Sequence, residues 1–155
     1  MLLSWASLPN GDGWTFEVKW DGCRAQLRYD GRSVSLRTRH GRECSEDFPE
    51  FQEIGAVLGK RRVTLDGELV CLDCDGRPDF ARLRRRLTGS ATGRHPAMLQ
   101  LFDLLHLDGR STRPLPYGER RALLDAERRS LNEQLRANGR IVSLAPHRRQ
   151  TGGQR

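Results

Sequence analysis

Trp14-Thr15-Phe16-Glu17-Val18-Lys19-Trp20-Asp21-Gly22-Cys23-Arg24 is the stretch on which the reading of this chain turns. From Trp14 to Trp20 apolar and polar residues alternate, which places Trp14, Phe16, Val18 and Trp20 on one face of a strand and Thr15, Glu17 and Lys19 on the other. Asp21-Gly22 is a turn signal. A second strand follows, with Cys23, Ala25, Leu27 and Tyr29 opposite Arg24, Gln26 and Arg28. Asp30-Gly31 turns the chain into a third strand near Ser33–Arg39, so the expectation is a three-stranded antiparallel meander. In that meander the turn brings Arg24 back towards Lys19. A lysine beside another cation on an apolar-backed strand has its neutral, nucleophilic form favoured, and an arginine fork suits a phosphate. The plain alternative, a surface lysine beside a hairpin, stays open on these residues alone.

Working outward, Ser45 to Leu58 reads as a helix capped by Ser45 or Asp47, with Pro49 in its first turn and an inward stripe of Phe48, Phe51, Ile54 and Leu58. Val63–Leu72 reads as a strand that carries Leu65-Asp66-Gly67-Glu68-Leu69, and Asp75-Gly76 as a turn. Asp79 caps a short helix with Phe80, Leu83 and Leu87 facing inward. Ala97–Leu105 is an apolar strand closed by Asp108-Gly109. Gly118–Asn138 is a charged amphipathic helix using Leu124, Leu131 and Leu135, and a short strand follows at Ile141–Leu144.

With 155 residues the chain is long enough for one ordinary domain. No apolar run reaches the length of a membrane span, and the start lacks the basic and apolar regions of a signal peptide, so a cytoplasmic protein without membrane contact is expected. The net charge of +7 is uneven. Residues 1–80 hold 11 basic and 14 acidic side chains, and residues 81–155 hold 16 and 6. A basic second half suits a polyanionic partner, although 25 arginines against 2 lysines also fits a compositional preference for arginine. Cys71-Leu72-Asp73-Cys74 has the spacing of half a zinc site, but Cys23 and Cys44 do not form a second close pair, so incidental reduced cysteines are expected. His40, His95, His106 and His147 have no metal spacing.

Lys19-Trp20-Asp21-Gly22-Cys23-Arg24 matches the pattern Lys-x-Asp-Gly-x-Arg. On it the chain resembles the covalent nucleotidyltransferases, namely ATP-dependent DNA ligases, RNA ligases and mRNA-capping guanylyltransferases. Three further elements stand in the family's order: Thr38-Arg39-His40-Gly41, Leu65-Asp66-Gly67-Glu68-Leu69, and Leu101-Phe102-Asp103-Leu104-Leu105. Pro114-Leu115 with Glu119-Arg120-Arg121 also resembles the family's next helix. The Gly13–Val18 lead-in is similar to bacterial end-joining DNA ligases. Four elements in order are far more specific than one.

That resemblance implies an α+β fold: a partial, ATP-grasp-like adenylation domain with antiparallel sheets flanked by helices. It implies that Lys19 attacks the α-phosphorus of ATP and carries AMP as a phosphoramidate. Glu17 would lie in the segment that reads adenine, Arg24 would contact phosphate, and Arg39 would sit by the ribose or the DNA phosphate. Glu68 would bind ribose hydroxyls or position magnesium, and Phe102 would stack on adenine, with Asp21, Gly22 and Asp66 in support. On the residues alone, Phe102 reads equally as core and Asp103 as a strand-end cap. AMP would pass to the 5′-phosphate of nicked double-stranded DNA, in repair or recombination, before the 3′-hydroxyl seals the break. Mg2+ is expected because departing pyrophosphate builds negative charge.

The family's later Glu-Gly-x-Val-x-Lys and Lys-x-Lys elements are not found after the Gly118–Asn138 helix. The expectation is therefore a C-terminally truncated domain over residues 1–144, a disordered basic tail at 145–155, and no oligonucleotide-binding domain. Full ligation would then be lost unless another chain supplies the missing elements. The other readings are a remnant that binds ATP or nucleic acid without chemistry, and a capping-enzyme or RNA-ligase type of nucleotidyltransferase.

Overall fold

The structure is a computed structural model that describes residues 16–17, 19–89, 97–137, 143–146 and 149–150. A six-stranded sheet organises it. Its strands are β2 (Cys23–Tyr29), β3 (Val34–Thr38), β4 (Val63–Cys71), β5 (Ala97–Leu107), β6 (Arg110–Ser111) and β7 (Ser143–Pro146). The order is β3-β2-β4-β5-β6, with β7 parallel to β5 on the edge away from β4 and every other pairing antiparallel. A separate two-stranded ribbon joins β1 (Phe16–Glu17) to β8 (Arg149–Gln150).

Two of the expected Asp-Gly turns close hairpins. Asp30 accepts hydrogen bonds on Oδ1 from the amides of Arg32 (2.9 Å) and Ser33 (3.0 Å), which bends β2 into β3. Asp108 and Gly109 both have positive φ (47° and 87°), as a two-residue turn between β5 and β6 requires.

Of the four expected, Asp21-Gly22 does not close a hairpin between paired strands. The described part of the strand expected from Trp14 to Trp20, Phe16–Glu17, is not paired with β2, because β3 and β4 occupy both edges of β2. The meander is thus replaced by the order β3-β2-β4, and Glu17 pairs with Arg149 instead. Trp14, Thr15 and Val18 lie outside the described residues.

One face of the sheet is apolar. Leu27, Leu36, Leu65, Leu69, Leu99, Leu101 and Leu104 are buried there with helical side chains. Those come from α1 (Glu53–Leu58), α2 (Phe80–Leu87) and α3 (Tyr117–Ala137), which contribute Ile54, Leu58, Leu83, Leu124 and Leu131. The expected helix over 45–58 is correct in its buried stripe but not in its continuity. It divides into 3-10 turns at Ser45–Asp47 and Pro49–Gln52 before α1 begins. The break falls at Phe48, whose φ of −134° and ψ of 60° leave the helical region ahead of Pro49. Ser45 caps nothing; its Oγ accepts from the Leu36 amide at 2.7 Å.

Asp79 caps α2 as expected, accepting from the Arg82 amide at 3.0 Å. Phe80 was expected inward but is 44% exposed at the first position of α2. The buried place belongs to Arg86, which lies over the Phe48 ring at 4.2 Å and pairs with Glu50 at 2.7 Å. Leu135 falls among side chains outside those described. The tail expected to be disordered from residue 145 contains the end of β7 and the whole of β8, while 147–148 and 151–155 lie outside the described residues. Pairing of β7 along Met98–Leu101 covers a β5 edge that β6 is too short to reach.

Candidate functional site

The other face of the sheet is polar, and the site lies on it. On β2 and β4, residues of alternate register face each other: Arg24 opposite Glu68, Gln26 opposite Asp66, Arg28 opposite Thr64. Asp66 is 1% exposed, and a buried carboxylate needs a full set of partners. Arg24 supplies them as a fork, donating from Nε to Oδ1 at 3.1 Å and from Nη2 to Oδ2 at 2.7 Å. The Asp66 partnership is also the main reason the Arg24 guanidinium is held above its ordinary value.

Two irregularities in the β4–β5 ladder aim further side chains at this face. Asp66 pairs with Asp103 and Gly67 with Leu101, so Phe102 is an extra residue on β5. The bulge sets the Phe102 ring under Arg24, 5.5 Å from the guanidinium carbon to the ring centroid. Asp103, read as a strand-end cap, instead receives a second fork, from Arg120 of α3 at 2.9 and 3.0 Å. A cleft of about 510 Å³ opens beside these residues, lined in part by Arg24, Gln26, Asp66, Asp103, His106 and Arg113.

Glu68 stands apart from these pairs. Its carboxylate takes no direct hydrogen bond among the described residues. Burial pushes its carboxyl above the ordinary value, Arg24 and Lys19 pull it down, and Asp66 and Asp21 push it up. Lys19 is exposed, in an irregular segment between β1 and β2, and is close enough for its charge to act on Glu68. Gly22 explains how that segment reaches the sheet. A Cβ built there would lie 2.4 Å from the Leu69 carbonyl oxygen and 2.9 Å from Glu68 Cγ, so only glycine lets the backbone lie so close to β4. Trp20, next to Lys19, is half-buried, and its indole Nε1 is buried without a hydrogen-bond partner among the described residues.

The sequence-derived candidates therefore converge in part. Arg24, Asp66, Glu68 and Phe102 gather at one end of the polar face, with Lys19, Asp21 and Gly22 in the approach to it. Arg39 sits at the rim: its amide donates to the Arg24 carbonyl at 3.0 Å while its side chain is exposed. Glu17 is tied to α3 rather than to the sheet, accepting from Tyr117 Oη at 2.6 Å and from Arg121 Nη1 at 3.3 Å. Residue-by-residue reading missed Tyr117, Arg120 and Arg121. The only signal for them was the likeness of the Glu119-Arg120-Arg121 segment to the family's following helix.

Among the described residues no three His, Cys, Asp or Glu side chains could together hold a metal ion, and no helix is long and apolar enough to cross a membrane. All four cysteines are free; Cys71 is buried and Cys74 exposed. The donor set does fit magnesium in the manner of nucleotide enzymes, where one or two carboxylates act together with substrate phosphates. Asp66 and Asp103 are taken by arginines, which leaves Glu68, with Asp21 near it, as the site carboxylates without an arginine partner among the described residues.

Comparison with known proteins gives the same direction. A family profile described as the ATP dependent DNA ligase domain matches residues 7–141. The multifunctional non-homologous end joining protein LigD of Mycolicibacterium smegmatis is 38% identical over 113 residues, covering 73% of this chain and 14% of that protein. The LigD of Pseudomonas aeruginosa is 41% identical over 126 residues, covering 81% and 15%. A solved structure, mycobacterial DNA ligase D complexed with ATP and MES, superposes with a TM-score of 0.68 at 34% identity, covering 90% of this chain and 41% of that one. The chain thus spans about a seventh of these curated relatives, and the profile favours a DNA ligase over a capping enzyme or an RNA ligase. With nearly its whole length inside the match, the chain belongs to the ATP-dependent DNA ligase domain family.

Proposed function

We propose that this chain carries the ATP-reactive part of an end-joining DNA ligase and that Lys19 is its nucleophile. After losing a proton to solvent, Lys19 Nζ attacks the α-phosphorus of ATP. A nitrogen–phosphorus bond forms as the bond to the bridging oxygen breaks, and pyrophosphate leaves. The 5′-phosphate of nicked double-stranded DNA then displaces Lys19 and takes the AMP. Attack by the 3′-hydroxyl joins the strand and releases AMP.

The residues divide this work. Phe102 offers an aromatic face for adenine, next to the segment that bears Glu17. Arg24, 37% exposed and oriented by Asp66, presents the outer part of its fork to phosphate, and Arg39 extends the cationic rim. Glu68 holds ribose hydroxyls or a magnesium ion. Magnesium bound there would neutralise charge on the triphosphate as pyrophosphate departs. Asp21, Gly22 and Asp66 support the loop and the fork. Such preorganised charge acts strongly because it requires no rearrangement during the reaction.

What supports this reading most is that Glu68, Arg24 and Phe102, widely spaced along the chain, share one end of one sheet face, and that the segment carrying Lys19 brings its charge within reach of Glu68. The test is incubation of the chain with labelled ATP and magnesium, then a denaturing gel. Label from ATP but not GTP, absent in Lys19→Ala, is the expected result. ATP binding without covalent label would instead favour a binding remnant.

A further inference from the structure

We propose that Tyr117 and Arg121, in the first two turns of α3, are positioning residues that hold the lysine-bearing segment in place, an inference that rests on Lys19 being the nucleophile. The segment needs such a hold. Among the described residues β1 is two residues long and pairs only with the equally short β8, and β2 has no free edge to offer it. A side-chain grip on Glu17, two residues before Lys19, ties the segment's start to the body of the domain among the described residues, as the Gly22 contact with β4 ties its end.

Tyr117 Oη and Arg121 Nη1 converge on the same carboxylate oxygen, Glu17 Oε1, at 2.6 and 3.3 Å across a hundred residues of sequence. A hydroxyl that close to a carboxylate is a charge-assisted bond, stronger and more directional than a neutral one. Arg121 is itself immobilised, since its side chain is 4% exposed and also pairs with Asp125 at 3.5 Å. The same part of α3 grips the opposite side of the site: Arg120 forks onto Asp103, the neighbour of Phe102, and donates to the Leu115 carbonyl at 2.8 Å. α3 therefore braces both walls, the amine on one side and the aromatic platform on the other. Its geometry sets the distance between them. Glu17 then acts as an anchor for its segment.

In-line attack is sensitive to errors in such a distance, and a misplacement of about 1 Å can cost on the order of a hundredfold in rate. Three forms of the full chain test the brace: Tyr117→Phe, Glu17→Ala, and the double variant, each followed as lysyl-AMP formation in a single turnover. Tyr117→Phe is expected to lower the rate constant at saturating ATP about tenfold. The half-saturating ATP concentration and the thermal midpoint should stay put. The double variant should lose no more than Glu17→Ala alone, because the two residues act as one unit. An unaffected rate in Tyr117→Phe, or losses that simply multiply, would overturn the proposal.

Hydrogen exchange supplies an arm that does not need the chemistry. Amides of residues 16–22 should exchange about tenfold faster in Tyr117→Phe, with β2 and β4 unchanged. Unchanged exchange there refutes the brace. A wild-type chain that takes up no AMP refutes the parent reading of Lys19, and the exchange result then decides the brace by itself.

Discussion

Replacing Gly22 with alanine tests the link between the fold and the site at a single atom. The added Cβ would sit 2.4 Å from the Leu69 carbonyl oxygen, which belongs to β4 and cannot swing aside as a side chain would. A relaxed carbon–oxygen contact is about 3.3 Å, so the loop must retreat from the strand by about 0.9 Å. It also meets Glu68 Cγ at 2.9 Å, so the carboxylate moves as well. Forced overpacking of this kind costs about 1–3 kcal/mol, well short of unfolding a domain of ordinary stability. The catalytic loss should be larger in proportion: a retreat of that size places Lys19 off line and predicts a drop of roughly a hundredfold in lysyl-AMP formation. Denaturant midpoints and single-turnover labelling measure the two effects separately. Gly118→Ala is the control, because a Cβ there meets nothing within 4 Å and a helical alanine should gain about 0.5–1 kcal/mol. A Gly22→Ala chain that labels as fast as wild type, at unchanged stability, would refute the reasoning that close contact with β4 sets the position of Lys19.

Two further outcomes follow from the electrostatics. Arg24→Gln should destabilise the fold by about 2 kcal/mol, measured by chemical denaturation, because Asp66 at 1% exposure loses its fork; the cost stays below the 3–5 kcal/mol of a fully buried pair since Arg24 is 37% exposed. It should also raise the Glu68 carboxyl further, visible by NMR titration, because Arg24 is the leading influence that pulls it down. At Glu43, burial pushes the carboxyl up, but hydrogen bonds from Ser45, Arg37, Ser35 and the Leu36 amide prevail and hold it at about 2, against an ordinary 4.5. A depressed carboxyl contributes stability above its unfolded value that is lost as pH falls through its folded one. Acid unfolding of the wild type should therefore steepen between pH 4.5 and about 2, and Glu43→Gln should flatten that window. Identical profiles for the two would show that the cluster contributes nothing.

Legibility in the sequence followed the range of the interaction. The Asp30-Gly31 and Asp108-Gly109 turns, the alternation in β2 and the Asp79 cap are encoded within a few residues, and each was readable. The stripe of Phe48, Phe51, Ile54 and Leu58 was readable as burial, whereas the break at Phe48-Pro49 depends on one pair of dihedral angles. The partner of the Glu17 segment was not readable, because edge occupancy of β2 is decided by β4, forty residues on. Nor was the buried Arg86: a helical pattern predicts an apolar residue inside, and the carboxylate of Glu50, the carbonyl of Asp47 and the ring of Phe48 make the arginine tolerable there. In the candidate site, ordered motifs picked out Lys19, Arg24, Glu68 and Phe102. The bulge that turns Phe102 towards Arg24, and the grip of Tyr117 on Glu17, are properties of register and of distant contact.

The account stands on a covalent bond at one nitrogen. Peptide mapping by mass spectrometry, after the chain is incubated with ATP and magnesium, reads that bond directly. The account predicts one AMP on the peptide containing Lys19, lost in mild acid as a phosphoramidate is, and absent from Lys19→Arg. AMP found on another residue, or retained in Lys19→Arg, would contradict it.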